Sequence, residues 1–217
     1  MELILTKECN TMTKFVNAAK GLKQVFAAQF LAIFGGIAGG LVLTSVFDGS
    51  NLAKGIFALV SVLLVVLALI IELVGLQKAG KDNINFNHAF TLALTTLFIE
   101  ILVSILAAIW PNAFGTDVVM RVLGIITTIL EIVGIYCVYK GIAELADARK
   151  EKGLANAARV LWNIIVVTLV GALVVSILAL VGATTVAAIL AIVVLVLGLI
   201  SDIAFLVLLG KSMNRMA

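Results

Sequence analysis

Four acidic residues lie within long apolar stretches of the sequence, and they are the side chains with the greatest potential for chemistry. They are Glu72, Glu100, Glu131 and Asp202. If these stretches cross a membrane as helices, an ionised group near mid-helix costs about 2.5–3.5 kcal/mol. Carboxylates in such places bind cations, hold protons or form hydrogen bonds to a neighbouring helix. The four acids therefore define the first candidate site.

Glu100 has the deepest predicted position of these acids. It follows His88 by twelve residues, which corresponds to about 18 Å of helical rise. Thr96, Glu100 and Ser104 recur every four residues, so they share one face of a helix. Glu131, in the next apolar run, is the nearest candidate neighbour of Glu100. The predicted ligand- or ion-binding residues are Glu100, Glu131, Glu72, Asp202, Thr96 and Ser104.

The elements that position these residues follow from composition and run length. The chain of 217 residues is 63% hydrophobic and 12% charged, whereas soluble domains are about 45–50% apolar and about 25% charged. A spanning helix needs about 20 mostly apolar residues. The apolar runs are continuous rather than alternating, which favours helices over strands. We predict an all-α integral membrane protein with six transmembrane helices, near 24–46, 56–77, 88–109, 119–140, 160–181 and 185–209.

The distribution of basic residues predicts the orientation. Of the 15 Lys and Arg residues, only Lys54 and Arg121 fall on one side of the six spans, and the other 13 fall on the opposite side. The positive-inside rule then places both termini in the cytoplasm, in a plasma or inner membrane. Residues 1–16 would be a cytoplasmic segment that could include an interfacial helix. The polar segment 141–158 would be a solvated continuation of the fourth helix.

Two residue patterns that recur along the chain predict an internal repeat. Each even-numbered span carries one acid nine residues before a lysine, in the pairs Glu72–Lys81, Glu131–Lys140 and Asp202–Lys211. Each odd-numbered span begins with the pattern Asn-x-x-basic-x-apolar, at Asn17, Asn85 and Asn156. We predict three tandem helical hairpins, near 17–81, 85–140 and 156–211, within one membrane domain, 17–217. If the hairpins pack with threefold symmetry, their acids would form a ring.

The stretch Gly75–Asp82, GLQKAGKD, resembles a phosphate-binding loop but lies in the wrong structural context. Such loops deliver free N–H groups at the N-terminus of a helix. This stretch follows an apolar helical run, so it lies at a C-terminus, where carbonyl groups repel phosphate. Asp82 also replaces the hydroxyl residue that binds magnesium. We predict a helix end here and no nucleotide site.

Small residues in the first span predict close helix packing. Ala28, Ala32, Gly36 and Gly40 recur every four residues, which lets the backbones of two helices approach. The partner would be another span or a second copy. Tyr136, Tyr139, Trp162 and Trp110 are predicted interfacial anchors, because they fall near span ends.

The function predicted from these features is binding or translocation of a small cation, proton or polar solute through the intramembrane carboxylates. The alternative is a non-catalytic membrane scaffold or assembly subunit, in which the acids only fix helix packing. Enzymatic activity is disfavoured because the sequence has no paired nucleophile and base, and a single histidine. No metal or cofactor is predicted. The expected partners are the lipid bilayer and a second copy or another membrane protein, but no nucleic acid.

Overall fold

A computed structural model describes residues 15–43, 51–110, 112, 117–180 and 184–216, and this part of the chain contains six long helices and no strand. All six are long and apolar enough to cross a membrane, which confirms the predicted six-span, all-α class. The repeat of three equivalent hairpins and the orientation of the termini stay predictions. The helices are α1 Val16–Leu43, α2 Asn51–Ala79, α3 Ile84–Ile109, α4 Asp117–Ala148, α5 Lys152–Leu180 and α6 Thr184–Met216.

The helices extend beyond the predicted apolar spans, mainly at the ends that carry the basic residues. We call these the basic ends: the N-terminal thirds of α1, α3 and α5 and the C-terminal thirds of α2, α4 and α6, with the turns next to them. α4, for example, continues to Ala148, eight residues past its predicted end at 140. Charged residues are compatible with helix, so the helix continues where the apolar run stops. Of the predicted segment 1–16, all but its last two residues lies outside the described residues.

The chain divides into two compact units, each described by itself. The first contains α1 and α2, and the second runs from Ile84 to Ser212. In the first unit the two helices meet along a seam of small residues. A Cβ atom on Gly21 would lie 2.7 Å from the backbone nitrogen of Ala79 and 2.8 Å from its Cβ. Farther along, the Ser61 hydroxyl donates to the Gly35 carbonyl at 2.8 Å. Only small residues permit this approach.

Asp82, just beyond α2, connects the end of α2 to the start of α1 through hydrogen bonds. Its carboxylate accepts hydrogen bonds from the Ala18 backbone N–H at 2.7 Å and the Asn17 amide at 3.0 Å. Ala18 lies in the first turn of α1, whose N–H groups have no partner within the helix. Asp82 therefore caps α1 from a distant position and also complements the helix dipole. This is the structural role of the residue that departs from the phosphate-loop pattern.

Packing in the second unit also depends on small residues and a few polar bonds. A Cβ atom on Gly141 of α4 would lie 2.9 Å from the ring of Phe86 on α3. Beside this contact the Asn85 amide donates to the Glu144 carboxylate at 2.6 Å. Arg159 of α5 forms an ion pair with Asp147 of α4. α5 and α6 meet where Gly171 faces Val194.

Burial within each unit is concentrated at the basic ends. In the second unit, Phe86, Tyr139, Ile142 and Leu209 are all at most 2% exposed, while residues toward the other ends, such as Ile109, are open. The segment 141–158 is helical up to Ala148, as predicted, but it is not solvated on all sides. Its apolar face is buried, because it contacts neighbouring helices beyond the predicted span: the buried residues are Ile142, Ala143, Leu145, Ala146, Leu154, Ala155 and Ala158.

Candidate functional site

Glu100 and Glu131 are the two predicted acids that the structure brings into electrostatic contact. They lie on α3 and α4, and the Glu100 carboxylate is close enough to act electrostatically on that of Glu131. The helix register explains this, since Leu92 faces Gly134 across the same two helices. Thr96 lies four residues after Leu92 on α3, and Glu131 lies three residues before Gly134 on α4. Thr96 and Glu131 are therefore at a similar level along the two helices. Both carboxylate side chains are exposed on the surface of the single chain.

The two hydroxyl residues of the predicted stripe have different environments. Thr96 is 5% exposed, and its Oγ1 has no hydrogen-bond partner among the described residues. Ser104 instead donates to the backbone carbonyl of Glu100 at 2.7 Å. Thr96 is therefore the hydroxyl with unused hydrogen-bonding capacity next to the acid pair, whereas the Ser104 proton is already used.

Asp202 and Glu72 have surroundings that differ from those of this pair. Asp202 is exposed on α6 and lies within electrostatic range of the Tyr139 hydroxyl on α4. The rings of Tyr139 and Phe205 pack at 5.1 Å near it. Glu72 is half-buried on α2 in the first unit. Its position between the buried residues Ala68 and Gly75 places it on the helix face that meets α1. The ring of acids stays a prediction.

The four predicted packing residues of α1 divide into one buried and three exposed positions. Ala28 is 1% exposed, whereas Ala32, Gly36 and Gly40 are exposed. A Cβ atom added to Gly36 or Gly40 would meet nothing within 4 Å. Contacts with α2 are made instead by Gly21, Gly35 and Gly39. A helix–helix seam typically follows spacings that alternate between three and four residues. A search for that pattern, and not for a constant spacing of four, would have indicated these contacts.

A cavity that no sequence pattern predicted lies between the basic ends of α4 and α5. It is partly open and has a volume of about 360 Å³, within the roughly 300–1,000 Å³ of ordinary ligand pockets. Its aromatic residues were predicted individually as interfacial anchors, but no motif indicated that they meet. The lining residues are Tyr136, Tyr139, Lys140, Ala143, Glu144, Ala158, Arg159, Trp162 and Asn163.

Aromatic rings form one wall of this cavity, and cations lie beside them. Trp162 packs on Tyr136 and Tyr139 with ring centroids at 5.0 and 6.4 Å. The Lys140 ammonium lies 5.9 Å from the centre of the Tyr136 ring, close enough for a cation–π interaction. Tyr139 is 2% exposed, and its hydroxyl has no hydrogen-bond partner among the described residues.

Within the described ranges, no group of three or more His, Cys, Asp and Glu side chains is placed to hold a metal ion. No protein-family model matches the chain, and neither a curated protein nor a solved structure matches it. Two arrangements of side chains can therefore support a function: the Glu100–Glu131 acid pair and the cavity between α4 and α5.

Proposed function

We propose that this multi-pass membrane protein binds a cation, a proton or a small polar solute at Glu100 and Glu131, as one step of translocation. The proposal is supported by the placement of these carboxylates on adjacent helices, α3 and α4, within electrostatic range of one another. Two neighbouring carboxylates repel each other when both are ionised, and this repulsion is stronger where water is scarce. A bound cation or a shared proton relieves the repulsion.

Thr96 adds a neutral ligand to this acid pair. Its buried hydroxyl oxygen has no partner among the residues the structure describes, and Thr96 precedes Glu100 by one turn of α3. Hard cations such as Na⁺ and Mg²⁺ favour carboxylate and hydroxyl oxygens. A proton would instead be shared between the carboxylates. The same three residues serve both cases, so the identity of the ion has to be measured.

The exposure of the acid pair indicates that a further polypeptide completes the path. Glu100, Glu131 and Asp202 are all exposed on the single chain. Ionised groups that face acyl chains are costly, at about 2.5–3.5 kcal/mol each. A second copy or another membrane protein would cover them. The same observation favours the second candidate function, a scaffold whose acids hydrogen-bond to its partner and carry nothing.

Flux through reconstituted protein distinguishes the two functions. We expect proteoliposomes with the full chain to take up ²²Na⁺ or to dissipate a pH gradient reported by a trapped dye. Glu100→Gln and Glu131→Gln should each reduce the rate at least about tenfold, because an amide removes the charge that attracts the ion. Their thermal midpoints in detergent should stay close to that of the wild type.

Thr95→Val is the control on the same helix. It removes an exposed hydroxyl that already donates to the Thr91 carbonyl at 2.8 Å and that is not one of the predicted site residues, so its flux should stay within about twofold of wild type. Absence of ion flux from the wild type, together with loss of its oligomer in the two glutamine variants, would contradict the transport proposal and support the scaffold.

A further inference from the structure

The cavity between α4 and α5 carries an excess of hydrogen-bond donors. Among the residues that line it, Lys140 and Arg159 carry charged N–H groups, and Trp162 and Asn163 carry neutral ones. The only carboxylate of the lining, Glu144, already accepts a hydrogen bond from Asn85. A lining of this composition favours a ligand rich in acceptor oxygens, such as the phosphate group of a lipid.

The two cations of the cavity are not equally neutralised. Arg159 is paired with Asp147 and also contacts the Asn156 side chain at 3.3 Å. Lys140 makes no ion pair with any described residue, and the contact found for its ammonium is the Tyr136 ring. Lys140 is therefore the cation of the lining that no described carboxylate neutralises, and it is the residue with the strongest attraction for an anion.

The cavity lies at the level of α4 that we expect to meet the headgroup region of a bilayer. It lies where the apolar part of α4 gives way to the charged segment that ends at Ala148, and Trp and Tyr side chains concentrate at such boundaries. Apolar residues of the same two helices, such as Val133 on α4 and Val160 on α5, are exposed. An acyl chain can lie against them while the headgroup enters the cavity.

We propose that this cavity binds the phosphate-bearing headgroup of an anionic membrane lipid. Lys140 and Arg159 contact the phosphate oxygens, while Tyr136 and Trp162 cover the headgroup. Basic pockets between transmembrane helices at the cytoplasmic side are a known mode of recognition for anionic lipids.

Native mass spectrometry of the full chain in detergent tests this proposal. The probes are phosphatidylglycerol and phosphatidylcholine with the same acyl chains, and phosphatidylglycerol should bind more tightly. Lys140→Gln should weaken its binding about fivefold, the factor that corresponds to about 1 kcal/mol per basic residue at a membrane surface. Lys140→Arg keeps the charge and should retain the affinity, which also controls for folding.

Lys211→Gln is the matched control. This exposed lysine of α6 follows Asp202 by nine residues, as Lys140 follows Glu131, but it does not line the cavity, so its removal should change the affinity less than about twofold. Equal binding of the two lipids, or equal effects of the two glutamine variants, would overturn the proposal. Displacement of the lipid by millimolar inorganic phosphate, with no preference between the lipids, would also overturn it and assign the site to a soluble anion.

Discussion

The α1–α2 seam and the α4–α5 cavity are both contacts between consecutive helices, yet one is filled and the other is open. In the seam, Gly21 and Gly75 lie so close to the opposite backbone that neither position has room for a Cβ atom. At the cavity, Tyr136, Trp162 and Lys140 occupy the facing positions. Large side chains keep the two helices apart and leave space between them.

The difference shows that side-chain size decides which contact can bind a ligand. Close backbones maximise van der Waals contact, which is the main source of association between helices in lipid, where the hydrophobic effect is absent. Separated helices lose part of this contact and need another stabilising interaction. At the cavity this is provided by the Arg159–Asp147 ion pair and the stacked rings.

The strongest test of this comparison is to add one methyl group to the seam. Gly21→Ala places a Cβ atom 2.7 Å from the Ala79 nitrogen, which only a backbone shift can relieve. We expect the free energy of unfolding, measured by titration with a denaturing detergent, to fall by about 1–3 kcal/mol.

Gly36→Ala is the matched control on the same helix. A Cβ atom there meets nothing within 4 Å, and alanine favours helix, so stability should be unchanged or higher by about 0.5–1 kcal/mol. Equal losses in the two variants would show that the helix, and not the seam, is sensitive to glycine replacement.

A smaller effect is expected at Asp82, which holds the seam closed at its end. Asp82→Ala removes the acceptor of two hydrogen bonds to the start of α1, so the free energy of unfolding should fall by about 0.5–2 kcal/mol. Asp82→Asn retains an acceptor oxygen and should lose less. If the asparagine variant is as unstable as the alanine variant, the charge and not the hydrogen bond stabilises the helix end.

The smallest effect is expected at the cavity. Tyr139→Phe removes a buried hydroxyl that has no partner within the described residues. In lipid-free detergent the free energy of unfolding should stay the same or rise by about 1 kcal/mol, because an unsatisfied polar group is removed. A fall of more than about 1 kcal/mol would mean that the hydroxyl already has a partner in the absence of lipid.

Most of the fold was predictable because lipid imposes a simple rule. A continuous apolar run has to form a helix, since its backbone groups cannot bond to acyl chains, and α3 ends at Ile109 as predicted. The helix ends at Ala148 and Met216 were not predictable from apolarity. There the chain leaves the apolar run, and contacts between helices decide how far each one continues.

The candidate site was predictable only in part. Glu131 was predicted as the nearest neighbour of Glu100 because charge is rare in apolar helices, and in the structure Glu100 lies within electrostatic range of Glu131. The cavity was not recognised, because Tyr136, Lys140 and Trp162 are ordinary residues at a membrane boundary. Their meeting depends on the angle and separation of α4 and α5, which neighbouring contacts set and no local pattern records.

The buried layer at the basic end of α4 and α5 has a thermodynamic consequence. α4 has 32 residues, a rise of about 48 Å against about 30 Å of hydrocarbon. Ile142, Leu145 and Leu154 are interspersed with charged residues, so water rather than lipid is the medium that this layer leaves on folding. Its disruption should increase the heat capacity, as in a soluble protein. We therefore expect this layer to lose stability on cooling, while contacts within the bilayer do not.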